Sequence, residues 1–331
     1  MEQKLSTAAI ILALIVIVLG AYTRLSDAGL GCPDWPGCYG QITAPQGYSE
    51  ISKAENLFPN SPVDTKKATI EMVHRYFAGT LGLLIFAISY LGYKKQKKIL
   101  MPILLSLTVI FQAALGMWTV TLKLLPIVVM SHLLGGMAIL SMLTLYKLQL
   151  KYNDANPIKA TSNNSKRIIF VAKLTLVLTI FQIFLGGWTS ANYAAVTCYD
   201  FPYCQGSLIP KMDFIKAFNL LGGINSPTPH LYMDNIAKVT VHMLHRLGAI
   251  FLSLSILCLA YLHYYREKTS KKSNIIMAEM LTLLSIQIAL GISNIIYVLP
   301  IHVAVSHNAV AAFLLIIVIC YNFHLNREAK C

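Results

Sequence analysis

The chain has 331 residues, of which 56% are hydrophobic and only 12% are charged, and its formal net charge at pH 7 is +13. An ordinary soluble domain carries about 25% charged residues, so this composition excludes a soluble globular protein and indicates an integral membrane protein. The basic residues lie in short clusters between apolar segments, and this distribution argues against nucleic-acid binding.

Eight segments of the chain are long and apolar enough to form transmembrane helices, which need about 20 residues each. Their expected limits are roughly 8–25, 70–92, 101–121, 126–148, 168–190, 236–264, 275–297 and 301–325. The first segment follows Lys4 and has the pattern of a signal peptide. We interpret it as a membrane helix because the sequence that follows it has a counterpart in the second half of the chain.

Three basic clusters predict how the chain is oriented in the membrane. They follow the second, fourth and sixth apolar segments and comprise Lys94, Lys95, Lys97, Lys98, Lys151, Lys159, Lys166, Arg167, Arg266, Lys268, Lys271 and Lys272. Because basic loops stay on the cytoplasmic side, we predict a multi-pass protein of the inner (plasma) membrane with both termini in the cytoplasm. Two long loops, at about 26–69 and 191–235, are then extracytoplasmic.

The second half of the chain repeats the first. Five landmarks recur in the same order, namely a segment with Gly and Thr, a cysteine pair, His-Arg, Gln-x-x-Leu-Gly and Ser-His, with offsets that rise only from 166 to 175. The pattern predicts an all-α integral membrane protein whose eight transmembrane helices form two tandem four-helix bundles. Since each copy has an even number of helices, the copies share one orientation and a pseudo-twofold axis along the membrane normal. The expected domains are 1–150, a cytoplasmic linker at 151–167, and 168–331.

Four histidines are candidate metal ligands, and they form two pairs related by the duplication. Each lies in the first two turns of a helix that begins at the outer face, and they are His74, His132, His245 and His307. A lone histidine in a membrane helix is as often a hydrogen-bonded structural residue as a ligand. Two pairs in register across a repeat favour ligation, and imidazoles on facing helices suit the two axial positions of a haem iron.

The two copies differ at one acidic position. Glu71 aligns with His242, so only the first copy has a carboxylate one turn before its first histidine. A carboxylate there could take a proton or orient water. The alternative is that Glu71 only caps the start of its helix, which is worth about 0.3–1 kcal/mol. His242 shares a helix face with His245 and is a secondary ligand candidate.

Arg75 and Arg246 follow the first histidine of each copy. A guanidinium at this position could bind a haem propionate. It could equally extend along the helix to the membrane interface. The sequence leaves both roles open.

Two cysteine pairs lie in proline-rich outer loops with the same spacing, Cys32 with Cys38 and Cys198 with Cys204. Disulfides persist outside the cytoplasm, and we predict one in each loop. A single site with four thiolate ligands is a weaker alternative, because both loops would have to meet and the short CxxC spacing is missing. The remaining cysteines are expected to be unpaired, and they are Cys258, Cys320 and Cys331.

Taken together, these features resemble the haem A synthase family of aerobic bacteria and mitochondria. The resemblance rests on Glu-x-x-His-Arg at 71–75, on single histidines in the fourth, sixth and eighth helices, and on Gly-Cys-Pro-Asp-Trp-Pro-Gly-Cys at 31–38. It covers nearly the whole chain. It implies an oxidoreductase that converts the C8 methyl of haem O to a formyl group, giving haem A for cytochrome oxidase.

The resemblance also implies a role for each site residue. His245 and His307 would ligate a resident haem b, whereas His74 and His132 would hold the substrate haem O with Glu71 as the catalytic carboxylate. It further implies a disulfide in the second outer loop and a functional cysteine pair in the first, here Cys198–Cys204 and Cys32–Cys38.

Partners and rival functions follow from the same reading. We expect contact with membrane lipid, haem O synthase and oxidase assembly factors, an electron donor of unknown class, and homo-oligomers.

A quinol-linked di-haem electron-transfer protein of the b type would explain the four histidines equally well, but it would not explain why Glu71 has no counterpart. A transporter built from repeats would have broken helices near the middle of the membrane, and the sequence has no matching Gly or Pro interruptions there.

Overall fold

The computed structural model describes residues 2–95, 100–153, 166–265 and 270–328, and within these ranges it contains α-helices and no β-strands. The helices are α1 (Glu2–Leu25), α2 (Tyr48–Leu57), α3 (Thr65–Lys95), α4 (Leu100–Thr121), α5 (Pro126–Asn153), α6 (Lys166–Ala191), α7 (Phe214–Ala217), α8 (Asn235–Tyr265), α9 (Lys271–Ile296) and α10 (Ile301–Glu328). Eight of these are long and apolar enough to cross a membrane, all except α2 and α7. The predicted all-α, eight-helix membrane architecture is therefore confirmed.

The observed helices extend beyond the predicted spans. Helix α1 begins at Glu2 and α3 at Thr65, five or six residues before the limits expected from hydropathy. The apolar run marks only the hydrocarbon layer, whereas the hydrogen-bonded backbone continues through polar residues beyond it. Local signals fit some ends, since Pro126 is the first residue of α5 and the Ser270 side chain caps α9.

Several predicted features fall outside the described residues. They are most of the linker at 151–167, together with Lys97, Lys98, Lys159, Arg266, Lys268, Lys330 and Cys331. Cys258 and Cys320 are unpaired, as expected.

Each copy forms a ring of four neighbouring helices. In the first copy the contacts run from α1 to α3, α4, α5 and back to α1, and in the second they run from α6 to α8, α9, α10 and back to α6. The copies meet where α10 packs against α1 and α5, and where α5 packs against α6. Helices α1 and α5 of the first copy correspond to α6 and α10 of the second. Exchanging the copies therefore turns the α1–α10 contact into the α6–α5 contact, which is also present. The arrangement is therefore compatible with the predicted pseudo-twofold axis.

The two rings share a buried apolar core. Leu140 and Leu143 of α5 are fully buried in a cluster that also contains Ile183 of α6 and Leu315 of α10. Between membrane helices, association depends on such close packing because lipid is as apolar as the side chains themselves. The α5–α6–α10 contact therefore joins the copies along the middle of the molecule.

The cysteine loops of the two copies have the same backbone turn, on the side of the molecule where α1 and α6 end. We call this the disulfide side. Cys32 and Cys38, and likewise Cys198 and Cys204, lie at disulfide distance with Cα atoms 4.8 and 4.6 Å apart, the pairing that the sequence predicts. Each pair belongs to its own loop, which does not support a shared four-thiolate site.

An aspartate holds each of these turns. Asp200 accepts hydrogen bonds from the backbone N–H groups of Gln205 and Gly206, both at 2.8 Å, and the Gly206 bond lowers the pKa of the Asp200 carboxyl. In the first loop the equivalent Asp34 accepts in the same way from the backbone N–H groups of Tyr39 and Gly40. The turn geometry is thus encoded twice by the same local residues.

On the disulfide side, Arg24 connects the two copies. Its guanidinium donates to the backbone oxygen of Ser190 at 2.8 Å and lies 4.0 Å from the centre of the Tyr193 ring. The Tyr193 hydroxyl in turn donates to the carboxylate of Asp27 at 2.9 Å. This cluster joins the end of α1 to the end of α6.

We expect Arg24→Ala to lower the free energy of unfolding by about 1.5–3 kcal/mol, because a hydrogen bond from a charged group is lost together with the ring contact. Thermal unfolding of the purified protein in detergent measures the effect. Lys66→Ala removes an exposed cation from the same side and serves as the control. Equal melting temperatures for the two variants would contradict a joining role for Arg24.

Candidate functional site

The four predicted histidines come together as two equivalent pairs. His74 of α3 faces His132 of α5, with ring centroids 6.4 Å apart and an angle of 81° between the ring planes. His245 of α8 faces His307 of α10 at the same 6.4 Å, with an angle of 79°. In each copy the pair comes from the two helices that lie diagonally across the ring of four.

The spacing within each pair fits one metal ion between two imidazoles. A ring nitrogen bonds a first-row metal at about 2 Å and lies about 1.2 Å from its ring centroid, so two rings on opposite sides of one iron have centroids about 6.4 Å apart. The observed distance is 6.4 Å in both copies. Among the described residues, Nδ1 of His74, His132 and His307 is buried without a hydrogen-bond partner. The donor set therefore fits two haem groups with paired axial histidines.

Other arrangements of metal ligands find no support in the part of the chain that the structure describes. No group of three or more His, Cys, Asp or Glu side chains there could hold a metal ion. His242 is buried with Nδ1 3.0 Å from the backbone oxygen of Ala194. His242 thus has a backbone partner, and a ligand role for it stays a prediction.

Glu71 is buried between α3 and the first cysteine loop. Its Oε2 accepts the backbone N–H of Cys32 at 2.9 Å, and its Oε1 forms a salt bridge of 2.6 Å with Arg75. Helix α3 begins at Thr65, so Glu71 lies in the second turn and the helix-cap interpretation is wrong. The three-residue spacing places the carboxylate on the same helix face as His74.

Hydrogen bonds from Arg75 of α3 and Arg246 of α8 attach the two cysteine loops to these helices. Arg75 donates to the backbone oxygen of Asp34 at 3.0 Å and also to that of Gly37. Arg246 donates to the backbone oxygens of Cys198 and Asp200 at 3.0 Å, and to that of Tyr203 at 2.7 Å. Loop carbonyls are thus the partners of both guanidinium groups, and propionate contacts stay a prediction.

Sequence reasoning missed three glutamines beside the histidines. The amide nitrogen of Gln182 lies 3.0 Å from Nδ1 of His245 and 2.9 Å from its backbone oxygen. Gln112 donates to the backbone oxygen of His132 at 2.8 Å, and the amide nitrogen of Gln287 lies 3.2 Å from the ring nitrogen Nε2 of His307. The signal was present, because Gln-x-x-Leu-Gly occurs at 112–116, 182–186 and 287–291.

We expect Arg246→Ala to loosen the second cysteine loop, because three charge-assisted hydrogen bonds to its backbone are lost. Each such bond is worth about 1.5–3 kcal/mol, so amide exchange at Gln205 and Gly206 should be at least about tenfold faster. Hydrogen–deuterium exchange with mass spectrometry measures the rate. Lys211→Ala, an exposed change in the same loop, is the control, and equal exchange in both variants would rule out the anchoring role.

Comparisons with known proteins identify the family of this chain. Residues 3–319 match the family model COX15-CtaA, described as cytochrome oxidase assembly protein. A heme A synthase of Shewanella oneidensis is 43% identical over 96% of this chain and 94% of its own length. Heme A synthases of Rickettsia bellii and of a Wolbachia species are 29% and 26% identical, each over at least 96% of both chains. The chain therefore belongs to the COX15-CtaA family of cytochrome oxidase assembly proteins.

Proposed function

We propose that this protein is a haem A synthase, which oxidises the C8 methyl of haem O to a formyl group. His74 and His132 hold the substrate haem O in the first copy, and His245 and His307 ligate a resident haem b in the second. One observation carries the assignment of the copies: two histidine pairs have the same 6.4 Å spacing, but only the first has a buried carboxylate on the same helix face. A di-haem electron-transfer protein would need no such difference.

Glu71 is the proposed catalytic carboxylate. Conversion of a methyl to a formyl group breaks two C–H bonds, forms one C=O bond and removes four electrons from the carbon, which pass to an external oxidant such as dioxygen. A carboxylate beside the methyl can accept a proton released in this oxidation. The backbone N–H of Cys32 and the guanidinium of Arg75 hold the two carboxylate oxygens in place. Such fixed hydrogen bonds keep the acceptor oriented during the reaction.

A haem b held by His245 and His307 would supply one-electron redox chemistry. The role of His245 and His307 is to hold it at a fixed position in the second bundle, 168–331, while the first bundle, 1–150, holds the substrate. Haem O carries an apolar tail, which suits a site between lipid-facing helices. Exposed apolar side chains such as Phe77 and Leu83 line the outside of α3.

The location and partners belong to the same proposal. The disulfide side is extracytoplasmic and both termini are cytoplasmic, in the inner (plasma) membrane, as the basic clusters predict. Haem O synthase and oxidase assembly factors are the expected protein partners, because substrate and product are both apolar haems that pass between membrane proteins. Homo-oligomers and the electron donor stay predictions.

We expect Glu71→Gln to abolish haem A formation and to let haem O accumulate, while haem b remains bound. The amide keeps the shape of the side chain but cannot take the proton. Pigment extraction and chromatography from a strain that depends on this gene measure the three haems.

Glu50→Gln is the matched control for this experiment. Glu50 is an exposed carboxylate of α2 that accepts the backbone N–H of Gln46 at 2.9 Å, and the bonds from Gln46 and Gly47 lower its pKa. Normal haem A levels in Glu71→Gln would remove the catalytic role from this residue.

We expect His245→Ala to remove the resident haem b, because one of the two axial ligands is lost. The pyridine haemochrome spectrum of the purified protein measures the bound haem. His302→Ala, which changes an exposed histidine near the start of α10, should retain it. Full haem b content in His245→Ala would reverse the assignment of the two bundles.

A further inference from the structure

Each histidine of the two pairs packs against a glycine of a neighbouring helix. In every case the ring atom Cε1 lies where a Cβ atom would intrude if the glycine were replaced. The distances from that Cβ position to Cε1 are 2.9 Å for Gly20 and His74, 3.2 Å for Gly116 and His132, 3.0 Å for Gly186 and His245, and 3.2 Å for Gly291 and His307.

A Cβ atom at Gly20 would require the ring or the helix to shift, and at Gly116, Gly186 and Gly291 it would make a contact tighter than most Cβ atoms have. Two non-bonded carbon atoms have their best contact at about 3.5–4.0 Å, so an added methyl group would push the ring or the helix away. With an iron held between the two imidazoles, as proposed, the ring would not be free to retreat, because both rings would have to stay within bonding distance of the metal. A side chain at the glycine position would therefore turn or displace the imidazole.

The contact repeats both within each copy and between copies. Helix α1 supplies the glycine for the α3 histidine, and α4 supplies it for the α5 histidine, and α6 and α9 do the same for α8 and α10. Not every glycine of these helices is confined in this way. Gly79 in α3 has no atom within 4 Å of its Cβ position, and Gly82 has its nearest at 3.8 Å.

In three of the four contacts, a glutamine one turn before the glycine also binds the histidine. Gln112, Gln182 and Gln287 each precede their glycine by four residues and bind the histidine that packs on it. In α1 the same position holds Val16, which cannot donate a hydrogen bond to His74. The glycine is therefore the component that all four histidines share.

We propose that Gly20, Gly116, Gly186 and Gly291 are positioning residues that fix the rotation of the four imidazole rings. They keep the two ring planes of each pair nearly perpendicular, at 81° and 79°. The inference rests on the proposed haem ligation and assigns the ring orientation to four residues that touch neither iron nor substrate chemistry directly.

The angle between axial imidazole planes has a spectroscopic signature. In a low-spin ferric haem, perpendicular planes give an electron paramagnetic resonance signal dominated by one large g value, and planes closer to parallel give a rhombic signal with a smaller maximum. A ring displaced by an added methyl group should therefore change the spectrum even where the haem stays bound.

The test compares Gly186→Ala and Gly291→Ala with Gly79→Ala in the full-length protein, produced with haem supplied and purified in detergent. We expect the first two to lose haem b, or to retain it with a lower maximum g value. We expect Gly79→Ala to match the wild type in both haem content and spectrum. Gly20→Ala and Gly116→Ala should leave the haem b spectrum unchanged and weaken the binding of added haem O, followed by difference absorbance.

Two outcomes would overturn the proposal. One is wild-type haem content and g values in Gly186→Ala and Gly291→Ala. The other is loss of haem b from all four variants alike, which would mean that the glycines serve general helix packing. Failure of the proposed haem ligation gives a different result, because the wild-type protein itself would then contain no haem.

Discussion

Two imidazole rings that face each other at 6.4 Å are the constraint on which each bundle depends. The rings come from diagonal helices, α3 with α5 and α8 with α10, which are separated by the other two helices of the ring. Their distance is therefore set by how α1 and α4, or α6 and α9, pack between them. These helices can approach the rings closely only where the contacting residue has no side chain, and a glycine occupies that position at each of the four rings.

Duplication has kept the spacing of the histidine pairs and changed their surroundings. At the position one turn before the first histidine, Glu71 accepts the N–H of Cys32, whereas His242 bonds to the backbone oxygen of Ala194. A buried carboxylate is costly unless charged or hydrogen-bonded partners surround it, and Arg75 provides the charge. The copies thus differ in the charge of this side chain and in its partners, while the spacing of their histidines is the same.

The cysteine loops help to position side chains of the candidate site. In each loop an aspartate accepts hydrogen bonds from two backbone N–H groups and so stabilises the turn. An arginine of α3 or α8 donates to carbonyl groups of the loop and holds the loop against that helix. In the first copy this same loop supplies the N–H that holds Glu71. The position of the carboxylate therefore depends on the fold of a loop outside the helices.

The sequence by itself determined the eight spans, the duplication, the four histidines and the two cysteine pairs. These are local or periodic properties, since hydropathy reports which solvent a segment faces and a gap of five residues limits where two cysteines can lie. Only the tertiary structure decided that Glu71 binds the distant Cys32 rather than capping α3, that Arg24 reaches the other copy, and that glycines contact the rings. Such contacts depend on the rotation and register of one helix against another, which no pattern within a single helix specifies.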